Sequence, residues 1–223
     1  KMRLIFYLVT FIFGTCIGSF LNCLIYRLNN KQSFLKGRSF CPHCQHKLGF
    51  FDLIPILSFI ILKVKCRYCG QKISGQYPLV EIVTGGLFLL ILNFQFGGSQ
   101  FSIFNLLTSV RFFYLLIISS LFVVVFVYDL KHYTIPDKVI YPAMGITFFY
   151  QIIYNFPAIG SSFWSFLLSA FGAAGFFFLM WLVSKGEWMG FGDVKLGFLM
   201  GLFLGWPNIL VALFSAFFIG AII

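Results

Sequence analysis

The sequence predicts an all-α polytopic membrane protein with about six to seven transmembrane helices and a small zinc-binding cytoplasmic loop domain. Hydrophobic residues fill 60% of the 223 positions, charged residues only 10%, and the mean hydropathy is +0.96. A chain this apolar cannot cover itself with a wetted surface. Lys and Arg outnumber Asp and Glu by 16 to 6. Because these basic residues gather in a few connections between apolar runs, the excess indicates membrane topology and no nucleic-acid partner.

The first apolar run, residues 4–25, has about the 20 residues that a bilayer-spanning helix needs. A polar segment over 27–77 follows and contains one acid, Asp52, and nine of the 16 basic residues. Because loops rich in Lys and Arg stay in the cytoplasm, this segment is predicted to be cytoplasmic and the N-terminus to lie outside. The predicted domains are a first transmembrane helix over 1–26, the loop domain over 27–77 and a transmembrane core over 78–223.

Four further spans are predicted at 79–96, 112–127, 139–154 and 163–183. The connections between spans alternate between uncharged segments and segments that carry Lys or Arg, so every basic connection falls on the cytoplasmic side. The last stretch, 194–223, is predicted to be a short helix and a further segment, separated where Pro207 cannot continue a helix. Because the chain begins at Lys1 and stops within an apolar run, we expect it to be a piece of a longer protein.

Two Cys-x-x-Cys pairs form the strongest local signal in the loop. Cys41 and Cys44 make the first pair and Cys66 and Cys69 the second, with about 21 residues between the inner cysteines. Four thiolates at this spacing are typical of a structural zinc site, and a loop of about 50 residues needs such a metal because its own core is small. Two disulfides and a redox pair are the alternatives. A reducing cytoplasm disfavours disulfides, and the turn residues beside both pairs favour zinc knuckles.

Small and polar residues mark the first two spans. Gly14, Gly18 and Asn22 recur every fourth residue on one face of the first helix, a pattern that allows close helix approach and hydrogen bonding in lipid. Arg27 ends this span. Glu81, near the start of the second span, is expected to be buried or interfacial and therefore to pair with a cation or hold a proton. A structural pairing and a role in a site both remain open for Glu81.

Two aspartates lie at the cytoplasmic ends of separate apolar segments, in a chain with only six acids. A carboxylate costs about 2.5–3.5 kcal/mol at the centre of a membrane helix and less toward the interface, so its presence needs a reason. Taken singly, Asp129 and Asp193 are explained as helix caps or as partners of Lys131 and Lys195. Taken together on one membrane face, two carboxylates are able to share a proton and activate water, which is the chemistry of an aspartic protease.

Glycines stand directly beside the second aspartate. Gly190 and Gly192 remove side chains next to Asp193, so an extended substrate backbone is able to approach closely. The motif Gly190–Lys195, together with Asp129–Asp137, resembles the two catalytic motifs of the type IV prepilin peptidases, which are G-x-G-D intramembrane aspartyl proteases.

Further segments are similar to the same family. These are Gly18–Asn22 with Tyr26 and Arg27 in the first span, and the tetracysteine loop that leads into Ile73–Glu81. The resemblance covers nearly the whole chain with its motifs in order. One departure is Gln76, where the family usually has Arg, so we expect a charged partner of Glu81 to be lost or to come from elsewhere.

The resemblance implies a bifunctional bacterial enzyme of the cell membrane, which cleaves the basic leader from prepilins or pseudopilins and then methylates the new N-terminus with S-adenosylmethionine. It implies that Asp129 and Asp193 form the protease dyad on the cytoplasmic side, and that 78–223 is the aspartyl protease core. The residues expected to support the site are Gly190, Gly192, Lys195, Lys131, Glu81, Asn22 and Arg27.

Two alternative functions would use the same residues without cleaving a peptide. A membrane transporter or channel would use the aspartates as ion or proton ligands, although internal repeats and acids near mid-span are typical of such proteins. A zinc-dependent assembly factor would need neither aspartate for chemistry. Cleavage of a prepilin separates these classes from the peptidase.

Overall fold

The structure is a computed structural model and describes residues 2–30, 32–33, 37–96, 106–155 and 161–222. Within these residues it is all-α, with two isolated β-bridges as the only extended pairings. The predicted fold class is therefore confirmed. In chain order the elements are α1 (Met2–Asn29), a 3-10 turn (Phe50–Leu53), α2 (Leu57–Ile61), α3 (Gln76–Phe96), α4 (Leu106–His132), α5 (Asp137–Asn155), α6 (Ser161–Val183), α7 (Phe191–Leu204) and α8 (Asn208–Ile222).

Four helical segments are long and apolar enough to cross a membrane: Leu4–Asn29, Gln76–Phe96, Ser109–His132 and Phe163–Val183. A count of six to seven spans would also need α5, α7 and α8, and for these three helices it stays a prediction. At 14 and 15 residues, α7 and α8 are shorter than the about 20 residues of a perpendicular span. The break between them lies where the sequence predicts it, because α7 ends at Leu204 and α8 begins at Asn208.

The C-terminal end of α4 differs from the prediction in one respect that matters for the site. The apolar run ends at Val127, but the helix continues to His132, so Asp129 lies in its last turn. Tyr133 then takes a left-handed conformation, with φ of 51°, and its N–H donates to the Asp129 carbonyl oxygen at 2.8 Å. A residue in this conformation commonly terminates a helix.

The chain forms two compact units, Lys1–Val127 and Tyr128–Ile223, which divide within α4. In the first unit, α1 and α3 pack through the predicted small-residue face. A Cβ on Gly14 would lie 2.7 Å from the Cα of Gly85, and a Cβ on Gly18 would lie 2.7 Å from the Cα of Glu81. The two backbones are therefore closer than any larger residue at these positions permits.

The second unit holds α7 in the same way. A Cβ on Gly197 would lie 2.6 Å from the ring of Phe177 in α6, and a Cβ on Gly201 would overlap the backbone of Ala170. On its other side α7 meets α5, where the Gln151 Nε2 donates to the Leu202 carbonyl oxygen at 2.8 Å in a buried hydrogen bond. These contacts fix the helix that carries Asp193.

We predict that Gly18→Ala destabilises the first unit, because its methyl group meets backbone atoms that cannot move independently. The expected loss in the free energy of unfolding is about 1–3 kcal/mol, measured by thermal unfolding in detergent. Gly86→Ala is the matched control on α3, since a Cβ there meets nothing within 4 Å. Equal unfolding temperatures for the two variants would contradict the proposed close contact.

Candidate functional site

Asp129 and Asp193 both belong to the second unit, and the structure brings their charges into interaction. Asp129 is exposed in the last turn of α4, and Asp193 is half-buried in the first turn of α7. The carboxylate of Asp129 acts electrostatically on that of Asp193. Within the described residues no hydrogen bond joins the two side chains. The two carboxylates are therefore near each other, with Asp129 exposed and Asp193 half-buried.

Gly190 and Gly192 differ in what surrounds them. Gly190 is the N-cap of α7 in an extended conformation, and its carbonyl oxygen accepts from the N–H of Asp193 at 3.2 Å. A Cβ on Gly190 would find its nearest neighbour at 3.9 Å, so the space beside it is open, as a substrate approach requires. A Cβ on Gly192 would lie 3.1 Å from the Cβ of Ile135. Gly192 thus allows the start of α7 to pack against the connection after α4.

The two lysines beside the aspartates do not neutralise Asp193 in the described structure. Lys195 donates from Nζ to the Asp137 Oδ1 at 2.5 Å, and its ammonium group lies 5.1 Å from the centre of the Tyr141 ring. The alternative in which Lys195 pairs with Asp193 is therefore not observed, and Lys195 instead joins α7 to α5. Lys131 is exposed on α4.

The four loop cysteines come together in the first unit. The sulfur atoms of Cys41, Cys44, Cys66 and Cys69 all lie within 4.8 Å of one another, and none of these cysteines is in a disulfide. The disulfide alternative is therefore not observed. Four sulfur ligands that converge in this way are compatible with a tetrahedral metal site such as zinc forms.

Each cysteine pair sits in a tight turn of the same form. In the first turn, the N–H of Cys41 donates to the His46 carbonyl oxygen at 3.0 Å and the N–H of Gln45 to the Cys41 carbonyl oxygen at 2.9 Å. The second turn repeats this with Cys66 and Gly70 as the donors, at 2.8 and 2.9 Å. The residue after each pair has a positive φ, 58° at Gln45 and 70° at Gly70. The sequence therefore encodes two copies of one knuckle.

The thiol of Cys69 holds its proton tightly. The backbone N–H of Gln71 lowers the pKa of Cys69, but desolvation and hydrogen bonds with the other three thiols outweigh this effect and raise it to about 11. A bound metal ion reverses this preference because its charge stabilises the thiolates. A cation among the four sulfur atoms would therefore offset the cost of ionising Cys69.

An ion pair that the sequence reasoning missed braces the second knuckle. The Arg67 Nε lies 2.9 Å from the Asp52 Oδ1, and the Tyr68 hydroxyl donates to the Asp52 Oδ2 at 3.0 Å. This hydrogen bond raises the pKa of Tyr68. The N–H of Gly49 donates to the same oxygen at 3.0 Å. The signal in the sequence was that Asp52 is the one acid among nine basic residues of the loop.

Glu81 has partners that the sequence did not indicate. Its Oε2 accepts from the N–H of Ile56 at 2.8 Å, and the Ser19 hydroxyl is a second hydrogen-bond partner. The expected cation is not found beside Glu81 among the described residues. Gln76, at the position where a charged partner was expected, instead donates from Nε2 to the Asn22 Oδ1 at 3.4 Å. Glu81 is thus held by neutral donors.

Asn22 and Arg27 both fasten the loop to α1. The Asn22 Nδ2 donates to the Tyr77 carbonyl oxygen at 3.0 Å, where α3 begins. Arg27 is buried, and its guanidinium donates to the carbonyl oxygens of Ser33 and Gly37 at 3.2 and 2.8 Å. Asn22, Arg27 and Glu81 therefore support the first unit, whereas the two aspartates belong to the second.

A cavity of about 290 Å³ lies between the knuckles and the ends of α1 and α3 within the first unit. Its wall is mostly apolar and aromatic, and its charged members include Arg27, Arg38, Asp52, Arg67 and Glu81. Small-molecule sites in proteins have this character, with apolar walls and a few oriented polar groups, and start at about 300 Å³.

Comparison with known proteins places this architecture in a family. The family model described as the bacterial peptidase A24 N-terminal domain matches residues 12–95, and the model described as the type IV leader peptidase family matches residues 116–223. The first match includes the tetracysteine loop, and the second includes Asp129 and Asp193. No solved structure matches this chain.

Curated relatives carry the same description. A prepilin leader peptidase/N-methyltransferase of Myxococcus xanthus is 35% identical over 221 residues, which cover 98% of this chain and 62% of the relative. The protein of the same name in Klebsiella pneumoniae is 29% identical over 202 residues, 88% of this chain and 84% of the relative. The protein of the same name in Bacillus subtilis is 36% identical over 132 residues, which cover 59% of this chain and 49% of the relative. The chain thus spans less than two thirds of the Myxococcus relative. The two family matches and these relatives show that the chain belongs to the type IV prepilin leader peptidase family.

Proposed function

We propose that this protein cleaves the leader peptide from type IV prepilins or pseudopilins and methylates the N-terminus that cleavage exposes. The observation that carries the peptidase is the meeting of the two helix ends that bear Asp129 and Asp193, where a Cβ on Gly192 would lie 3.1 Å from the Cβ of Ile135. The space beside Gly190 is open, and Lys195 is bound to Asp137. Two neighbouring carboxylates share one proton, because ionising both is unfavourable without a cation between them.

The dyad supplies both halves of an acid–base hydrolysis. The ionised carboxylate takes a proton from water, and the water oxygen attacks the scissile carbonyl carbon. The protonated carboxyl gives its proton to the carbonyl oxygen, and a later proton transfer to the amide nitrogen releases the leader. The half-buried position of Asp193 and the exposed position of Asp129 leave the pair accessible to a peptide from the solvent side.

The membrane position of this chemistry follows from the distribution of charge. We propose a multi-pass protein of the bacterial cell membrane with its N-terminus outside, because the basic connections gather on one side. Both aspartates then face the cytoplasm, where a basic prepilin leader lies while its apolar helix remains in the bilayer. The proposed partners are therefore the prepilin substrate and the lipid bilayer.

We propose that the cavity in the first unit binds S-adenosylmethionine, which supplies a methyl group to the new amine. Glu81 in the cavity wall accepts hydrogen bonds from neutral donors, so it is able to face the positive sulfonium of the donor. Tyr26 and Tyr68 add aromatic faces to the wall, which attract both a cation and an adenine ring. The wall thus offers one carboxyl group and two aromatic rings to a ligand that carries a sulfonium and an adenine ring.

We propose that zinc occupies the four-cysteine site and has a structural role. Four sulfur ligands leave no open coordination position, which is the arrangement of structural and not of catalytic zinc. The ion would hold the two knuckles together in a loop whose apolar core is small.

Asp129→Asn and Asp193→Asn are each expected to reduce leader cleavage to near background, because an amide can neither share the proton nor activate water. Cleavage of a synthetic prepilin by reconstituted protein is followed by mass spectrometry. Glu187→Gln is the matched control, an exposed acid on the connection before α7. If either aspartate variant cleaved at the wild-type rate, the peptidase proposal would be wrong, and a transporter or an assembly factor would gain support.

Metal analysis tests the zinc site. Purified protein is expected to contain about one zinc ion per chain, and Cys44→Ser and Cys69→Ser are each expected to lose it, because three sulfur ligands hold the ion much less tightly. Cys16→Ser is the control, since this cysteine lies in α1 and outside the cluster. Zinc-free wild-type protein, or full zinc content in both ligand variants, would contradict the assignment.

Calorimetric titration with S-adenosylmethionine tests the cavity. Tyr26→Leu is expected to weaken binding by about 0.5–2 kcal/mol, because the aromatic face of the wall is lost. Tyr7→Leu is the control on the same helix, where the hydroxyl donates to Asn93 outside the cavity. Unchanged affinity in Tyr26→Leu would show that the donor binds elsewhere, and leader cleavage by the same samples reports separately on the dyad.

A further inference from the structure

The segment Phe50–Ile61, which contains the 3-10 turn and α2, exposes an unusual amount of apolar surface. Phe50 is 80% exposed and Phe51 72%, and Ile60 and Ile61 are 64% and 70% exposed. No residue of the two helical turns in this segment is buried. Patches of this kind on a soluble surface indicate an interaction site.

The segment is bound to the two membrane helices α1 and α3 through Glu81. Its anchor is the hydrogen bond from the N–H of Ile56 to Glu81, the sixth residue of α3, and Glu81 also bonds to Ser19 of α1. Five residues of helix rise amount to about 7.5 Å. Since the candidate span of α3 begins at Gln76, Ile56 lies level with residues that are already inside the apolar part of the span.

The lipid-facing surface of α3 begins at the same level. Leu79 is 60% exposed and Ile82 48% exposed, on either side of Glu81 in sequence. The segment therefore lies at the height of exposed apolar side chains on α3, where the candidate span is in contact with lipid. This shared height supports lipid as the medium around Phe50–Ile61.

The hydrogen bond to Glu81 satisfies a backbone N–H that would have no acceptor in lipid. Ile56 has φ of 61° and ψ of −50°, a conformation that a β-branched residue rarely adopts and that surrounding contacts must hold. An N–H in such a turn has no helical partner, and lipid offers none. The Glu81 carboxyl supplies the acceptor for this N–H.

The positive charges that follow the segment suit binding to an anionic membrane surface. Lys63 and Lys65 follow directly and are exposed. Exposed lysines next to an apolar segment bind the headgroups of anionic lipids, at the boundary where the apolar side chains enter the acyl region.

We propose that Phe50–Ile61 is an interfacial segment that inserts into the leaflet next to the loop domain, with Glu81 as its internal anchor and with anionic lipid headgroups on Lys63 and Lys65. It fixes the cysteine knuckles at the membrane surface. This inference does not depend on the dyad or on the methyl donor.

Photocrosslinking in lipid nanodiscs identifies what covers the segment. The full-length chain carries p-benzoylphenylalanine in place of Phe51, and mass spectrometry of the irradiated protein reports the mass of the adduct. Lipid adducts are expected, at a yield comparable with the same probe in place of Leu90, which is 54% exposed on α3. The probe in place of His43, exposed on the first knuckle, is expected to give none.

The alternatives produce different adducts. A crosslink to a second copy of the chain or to an added prepilin, without lipid, would overturn the proposal, as would the absence of lipid adducts when the Leu90 probe forms them. Increasing the fraction of phosphatidylglycerol is expected to raise the lipid yield at Phe51, and Lys63→Gln with Lys65→Gln is expected to remove that increase. If the lipid-adduct yield did not change with the fraction of phosphatidylglycerol in protein that retains Lys63 and Lys65, the proposed role of the lysines would be contradicted.

Discussion

The close approach of helix backbones at glycines is the constraint on which this protein depends. Water drives apolar helices together, but lipid does not, so membrane helices associate where small residues permit tight packing and hydrogen bonds. Gly14 and Gly18 set α1 against α3, and Gly197 and Gly201 set α7 against α6. Because α7 carries Asp193 in its first turn, the position of that acid is a consequence of this packing.

A second consequence concerns the charges around the aspartates. A lysine two residues from Asp193 would suppress the chemistry proposed for the two aspartates if it paired with either carboxylate, because a cation stabilises the ionised form of both. The Lys195 ammonium group is instead held by Asp137 at the start of α5. The same contact ties α5 to α7. The pairing of Lys195 with Asp137 thus holds this ammonium group away from the Asp193 carboxylate.

Features that depend on local periodicity and spacing could be predicted from the sequence. Hydrogen bonds between residues far apart in the sequence could not. The helices, the break after Leu204, the four-cysteine cluster and the Gly14 and Gly18 face all follow from local periodicity and spacing. The acceptor role of Glu81 depends on the turn at Ile56, 25 residues earlier, and the pairing of Lys195 depends on a residue 58 positions away. Such contacts arise only from the packing of the helices, so the sequence could not identify the partners of Glu81 or of Lys195.

The central claim is that Asp129 and Asp193 act as one unit, and a double-variant cycle of leader cleavage tests it most directly. Single-turnover rates are compared for the wild type, the two single aspartate-to-asparagine variants and the double variant. If the carboxylates share one proton, either single change removes the function of both, and the double variant is no slower than the slower single variant. A double variant whose rate falls by the product of the two single losses would show that the aspartates act independently, and would contradict the account.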